Sequence, residues 1–134
     1  MSDDRVGILL LTHGDYGPAM LEAVRRLIAT DALEGFECVV ITPGEPRGVI
    51  AARVTDAVRG LDRGGGVLIL CDLYGSTPWS CAMEAPKGAV VLCGLSLAML
   101  VKLASIRRHG TTPETLAQLA SETATRAVKL AVPR

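Results

Sequence analysis

Aromatic residues are scarce in this 134-residue chain: one Trp, two Tyr and one Phe, 3% of the whole. A core must therefore be built from Val, Leu, Ile and Ala. Net charge is missing too, because fourteen basic residues balance fourteen acidic ones. Without a basic excess to displace counterions, a dedicated nucleic-acid binder is excluded, and so is a polybasic membrane anchor. Cys38, Cys71, Cys81 and Cys93 form no CxxC pair, and with only two histidines no metal-ligand spacing exists, so no metal or other cofactor is expected. The Gly-x-Ser-x-Gly elbow of a serine hydrolase is absent, as are a GxGxxG or Walker loop for nucleotides. The longest nearly uncharged apolar stretch, 89–101, is interrupted by Gly94 and Ser96 and is too short to span a bilayer. Residues 1–5 are short and acidic, unlike a secretory n-region, so a cytoplasmic location is expected.

What is present is a globular balance, 49% hydrophobic and 21% charged. We expect one domain over residues 1–134, burying about two-thirds of its unfolded surface. The cysteines read as small buried hydrophobes with free thiols. Short apolar runs alternate with helical patterns. Strands are expected at 6–11 (VGILLL), 36–41 (FECVVI), 67–71 (VLILC) and 89–93 (AVVLC). Gly17-Pro18 opens a first helix with Leu21, Val24, Leu27 and Ile28 on one face. Val49, Ile50, Val54, Ala57, Val58 and Leu61 mark a second helix, and Thr77-Pro78 begins a short third. Ser96 caps a helix expected over 97–108, with Arg107 and Arg108 at its negative end and Gly110 as its stop. Thr112-Pro113-Glu114 starts a last helix with Leu116, Leu119 and Ala120 on one side, and the tail from Ala124 either finishes it or forms an edge strand.

Such repetition predicts an α/β fold, a flavodoxin-like three-layer α/β/α sandwich. Its four parallel strands would run in order 2-1-3-4, with a possible antiparallel edge strand from the C-terminal tail. In this order the ligand crevice lies at the carboxyl ends of strands one and three. Thr12-His13-Gly14 follows the first and Asp72 the second. A carboxylate that accepts from one ring nitrogen fixes the histidine tautomer and leaves the other nitrogen as base or nucleophile. The loop Leu73-Tyr74-Gly75-Ser76-Thr77-Pro78 offers backbone N–H groups, hydroxyls and a helix start, which suit an anion. Together His13, Asp72, Gly75, Ser76 and Thr77 point to phosphoryl transfer through a phosphohistidine. Taken singly each has a plainer reading: a loop histidine, a turn or capping aspartate, a common Gly-Ser-Thr turn. His109 reads as a capping or surface residue. A flavin-binding flavodoxin would need a hydroxyl-rich loop where Thr12-His13-Gly14-Asp15 stands. A receiver domain would use Asp72 as acceptor but would need an acidic pair after strand one.

These motifs resemble the IIA component of the mannose-type sugar phosphotransferase system over nearly the whole length. The resemblance rests on residues 7–14 (GILLLTHG) and 67–78 (VLILCDLYGSTP), with Thr42-Pro43-Gly44-Glu45 and residues 94–100 (GLSLAML) in support. The domain that phosphorylates dihydroxyacetone kinase is a further relative, but 72–78 fits the mannose type better. The resemblance implies a phosphotransferase in which His13 takes a phosphoryl group from the histidine phosphocarrier protein and passes it to a IIB component. It implies that Asp72 orients His13, that Gly75, Ser76 and Thr77 hold the phosphate, and that no cofactor takes part. It implies a homodimer with an exchanged C-terminal strand, and a membrane link only through a permease complex. The alternative is a regulatory phosphocarrier, in which the state of His13 controls a partner protein. Ser96 and Ala98 depart from the family, whose members often carry Asn and Pro there.

Overall fold

The structure, a computed structural model, describes residues 5–28, 30–108 and 111–134. Four strands, β1 (Gly7–His13), β2 (Phe36–Ile41), β3 (Val67–Cys71) and β4 (Ala89–Cys93), form one parallel sheet in the order β2-β1-β3-β4, as the sequence predicts. Among the described residues five helices surround it: α1 (Tyr16–Leu27), α2 (Arg47–Leu61), α3 (Thr77–Ala82), α4 (Leu97–Ile106) and α5 (Pro113–Arg126). A short 3-10 helix, Thr30–Leu33, precedes β2.

β1 is buried on both faces, and the period of two along it splits the core into two layers. Ile8 and Leu10 join Val24, Leu68, Leu70, Met99, Leu100, Leu103 and Leu116 under α1, α4 and α5. Leu9 and Leu11 join Ile50, Val54, Val58, Ile69 and Cys81 under α2 and α3. Fully burying each of these large apolar side chains contributes roughly 1.5–3 kcal/mol, which is how a core with Phe36 as its one buried aromatic among the described residues suffices. The chain steps from β1 to β2 across one face, then reverses and crosses the other face to β3. Right-handed crossovers require this change of face, and the reversal falls between β1 and β3.

Several details depart from the sequence pattern. β1 runs on through Thr12 and His13, so the histidine ends the strand rather than following it. Leu27 is 63% exposed and Leu119 36%: α1 packs through Val24 with Met20, Leu21 and Ile28, and α5 through Leu116 and Ala120 with Ala117 and Ala124. α4 stops at Ile106, and Arg107 turns inward instead of solvating the helix end. Its Nη1 donates to the Val6 carbonyl at 2.9 Å and its guanidinium lies 5.1 Å from the centre of the Phe36 ring, a cation–π contact. His109 and Gly110 lie outside the described residues. α5 ends at Arg126, and residues 127–134 are exposed and pair with no strand among the described residues.

Candidate active site

β1 and β3 are in register up to Leu11 opposite Cys71. Beyond that pair β1 continues for two residues while β3 gives way to Asp72, whose N–H still reaches the Leu11 carbonyl at 3.3 Å. The extra length of β1 carries His13 over the end of β3. Asp72 Oδ2 accepts the His13 backbone N–H at 2.7 Å, and Asp72 Oδ1 lies 3.0 Å from His13 Nδ1. The structure thus brings together the two residues that the switch-point argument paired. The aspartate side chain is only 10% exposed, whereas the histidine side chain is 42% exposed. A carboxylate at this distance accepts a hydrogen bond from Nδ1–H, which leaves the Nε2 lone pair free to act on an incoming electrophile.

One participant was not legible in the sequence. The Tyr16 hydroxyl donates to Asp72 Oδ2, the same oxygen that accepts the His13 main chain. Its position depends on Gly17, since a Cβ there would meet Thr12 Oγ1 at 2.9 Å, so the first turn of α1 can sit directly on β1 only with glycine at that place. Gly14 makes the intervening corner at φ +88°, and its N–H extends the ladder to the Ile41 carbonyl at 2.9 Å. The available signal was only a tyrosine three residues past the histidine, in a chain with few aromatics.

His13 opens onto a cleft of about 480 Å³. Its walls are Gly14, the turn Thr42 to Glu45 with Ile41 and Ile50, and Thr77-Pro78 at the start of α3. Arg53 holds the first wall, bonding Glu45 Oε1 at 2.6 Å and the Val40 carbonyl at 2.9 Å. Arg47 ties α2 to Ser80 of α3 at 3.0 Å and to Glu84 Oε1, just beyond that helix, at 2.9 Å. Thr77 therefore shares a cleft with His13, whereas Gly75 and Ser76 do not line it. Gly75 adopts φ +80° in the turn before α3. Ser76 Oγ is engaged within that turn, donating to the Leu73 carbonyl at 2.8 Å and capping α3 by accepting from Trp79 N at 3.3 Å. Tyr74, 74% exposed, packs on Trp79 with ring centres 4.8 Å apart.

The thiols near the site are poor nucleophiles. Burial, and then the neighbouring Cys93, push the Cys71 thiol up to about 12. Burial raises Cys93 as well. Both stay protonated at neutral pH. Among the described residues no group of His, Cys, Asp or Glu side chains could hold a metal ion, and no helix is long and apolar enough to cross a membrane.

Residues 7–120 match the family described as PTS system fructose IIA component, EIIA-man. Solved structures similar to this chain include the mannose/sorbose specific IIA subunit of the phosphotransferase system from Enterococcus faecalis, with a TM-score of 0.83 at 23% identity over 97% of this chain and 98% of that one. The phosphotransferase system component EIIA from Streptococcus agalactiae superposes with a TM-score of 0.79 at 21% identity, over 92% and 95% of the two chains. A sigma-54 interaction domain protein from Enterococcus faecalis has a TM-score of 0.69 at 19% identity, over 93% and 96%. No curated protein matches the chain at a significant level.

Proposed function

Since this chain belongs to the mannose/fructose/sorbose family of phosphotransferase-system IIA components, whose members act in a phosphotransfer relay, we propose that it carries the phosphoryl group on His13. The observation that carries this reading is the double grip of Asp72 on His13, with Oδ2 on its backbone and Oδ1 on Nδ1. The phosphoryl donor is the histidine phosphocarrier protein and the acceptor is a IIB component. The Nε2 lone pair forms the new N–P bond as the donor's N–P bond breaks, and the electron pair of that bond returns to the donor. The ring gains positive charge, which the Asp72 carboxylate offsets while it keeps Nδ1 protonated. Return of the phosphoryl group to the next acceptor reverses these steps. Thr77, on the wall of the cleft, donates its hydroxyl to the phosphoryl oxygens. Gly75 and Ser76 form the turn that presents it.

The protein works as a homodimer. The exposed tail at 127–134 covers the outer edge of β4 in the partner subunit. A second reading, a regulatory phosphocarrier that acts on a partner protein without sugar uptake, draws on the sigma-54 interaction domain protein of the same fold.

Incubation with labelled phosphoenolpyruvate, enzyme I and the histidine phosphocarrier protein tests the central claim. Acid-labile, base-stable label on His13 is expected, absent in His13→Ala and retained in His109→Ala. Label that persists in His13→Ala sinks the assignment.

A further inference from the structure

We propose that Tyr16 is a positioning residue for the transfer, acting through Asp72; this rests on the phosphocarrier reading of His13. Asp72 faces donors from two directions. His13 supplies its backbone N–H to Oδ2 at 2.7 Å and its ring Nδ1 to Oδ1 at 3.0 Å, and Tyr16 supplies its hydroxyl to Oδ2. The two His13 bonds alone do not settle how the carboxylate is turned, because Nδ1 is also only 3.2 Å from Oδ2. The ring could draw on either oxygen. A second donor on Oδ2 occupies that atom and assigns Oδ1 to the ring.

Tyr16 can do this because it does not belong to the strands that carry the pair. It is the first residue of α1, and the contact of Gly17 with Thr12 fixes that helix start against β1. The hydroxyl therefore approaches the carboxylate from the helix layer, while the histidine approaches from the sheet. The arrangement also has an electrostatic role. A phosphoryl group brings about two negative charges to Nε2, on the far side of the ring from a carboxylate that is 90% buried. The hydrogen bond from the Tyr16 hydroxyl to Oδ2 shares the carboxylate's charge and holds it in its orientation when the dianion arrives. In that state it continues to accept from Nδ1–H, and Nε2 stays the reactive nitrogen.

Tyr16→Phe removes the hydroxyl and keeps the ring, whose residue is 42% exposed. Two quantities are measured on the full chain: steady-state transfer from the phosphorylated histidine phosphocarrier protein, and the His13 tautomer by nitrogen-15 NMR. The variant should lose roughly tenfold in kcat, the worth of one hydrogen bond to a charged group, with KM within about twofold. The His13 resonances should move from a dominant Nδ1–H form toward a mixture of tautomers, which a merely structural tyrosine would not cause. A variant with the kcat of the original protein overturns the proposal, and so does an equal loss that falls entirely on KM. If the original protein itself takes up no phosphate, the phosphocarrier reading fails. The tautomer measurement then decides alone: a shift supports the Tyr16–Asp72–His13 linkage and an unchanged spectrum overturns it.

Discussion

Asp72 holds His13 by main chain and side chain together, with Oδ2 on the backbone N–H and Oδ1 on Nδ1. The backbone bond prevents the last residue of β1 from fraying away from β3, although β3 has already ended. The ring bond then acts on a residue whose Cα is already fixed. Orientation and anchorage come from one buried carboxylate, which makes the pair sensitive to its chemistry.

Replacing Asp72 with Asn should separate these roles. An amide has one acceptor oxygen and an NH2 that cannot accept, so it cannot serve the backbone N–H and Nδ1–H from separate atoms. One donor then faces a donor, and the ring turns or changes tautomer. Transfer should fall on the order of 10²-fold, as expected for a misplaced reacting group, while far-UV circular dichroism stays that of the folded protein. Unchanged single-turnover kinetics would make Asp72 a turn residue only.

Ser76→Ala tests whether that hydroxyl serves the phosphate or the helix. Its oxygen already accepts from Trp79 N and its proton already goes to the Leu73 carbonyl. We expect a loss of about 1 kcal/mol in stability by urea denaturation, the usual cost of removing a cap, and only a small loss of transfer. A transfer defect as large as that of Asp72→Asn would place Ser76 on the phosphate instead.

The parallel order and the two ends of the site were legible because they depend on local pattern. Buried strands read as apolar runs such as 67–71, and the position of His13 and Asp72 follows from strand order alone. Tyr16 was not legible, because its contact joins residues 56 positions apart and depends on the packing of Gly17 against Thr12. Arg107 misled for a related reason. A basic residue in a last helical turn looks like a dipole partner, but here the chain leaves the helix at that residue and the aliphatic stem carries the guanidinium into the core beside Phe36. Leu27 and Leu119 satisfied helical spacing but lie at the margins of their faces, where periodicity does not say how wide the covering layer is.

Two thiols, Cys71 buried and Cys38 half-buried, give the fold an alkaline limit. Cys71 is pushed up to about 12 and Cys38 to about 11, in both cases first by burial. In the unfolded chain these thiols ionise near 9.0. The folded state therefore keeps protons that the unfolded state releases, so stability is fully present below pH 9 and is lost as pH rises toward 11 and 12. Melting temperature by circular dichroism should be level from pH 7 to 8.5 and fall steadily above pH 9. Cys71→Ala should melt lower at pH 7, because of the cavity, but with a shallower alkaline fall. An equal slope in the two proteins would count against Cys71 as a source of the effect.

The C-terminal tail is the place to test the proposed dimer. Val128, Leu130 and Val132 are 86%, 96% and 85% exposed, and their spacing of two puts all three on one face of an extended segment. Among the described residues β4 pairs only with β3, so its outer edge is open, and exposed edges are normally covered. A cleft of about 590 Å³ is lined by Leu92 and Cys93 of β4 together with Met99, Ala124, Thr125 and Val128. An arm from a second copy would bury its three apolar side chains there, each worth roughly 1.5–3 kcal/mol, and two-fold symmetry applies the gain twice. Because α5 runs to Arg126, truncation after that residue removes the arm and leaves the helix whole. Light scattering at micromolar concentration should give a dimer for the full chain and a folded monomer for the truncated one. A monomeric full chain would refute the dimer. A truncated chain that stays dimeric would assign the interface to the helices, and the arm would then have no part in assembly.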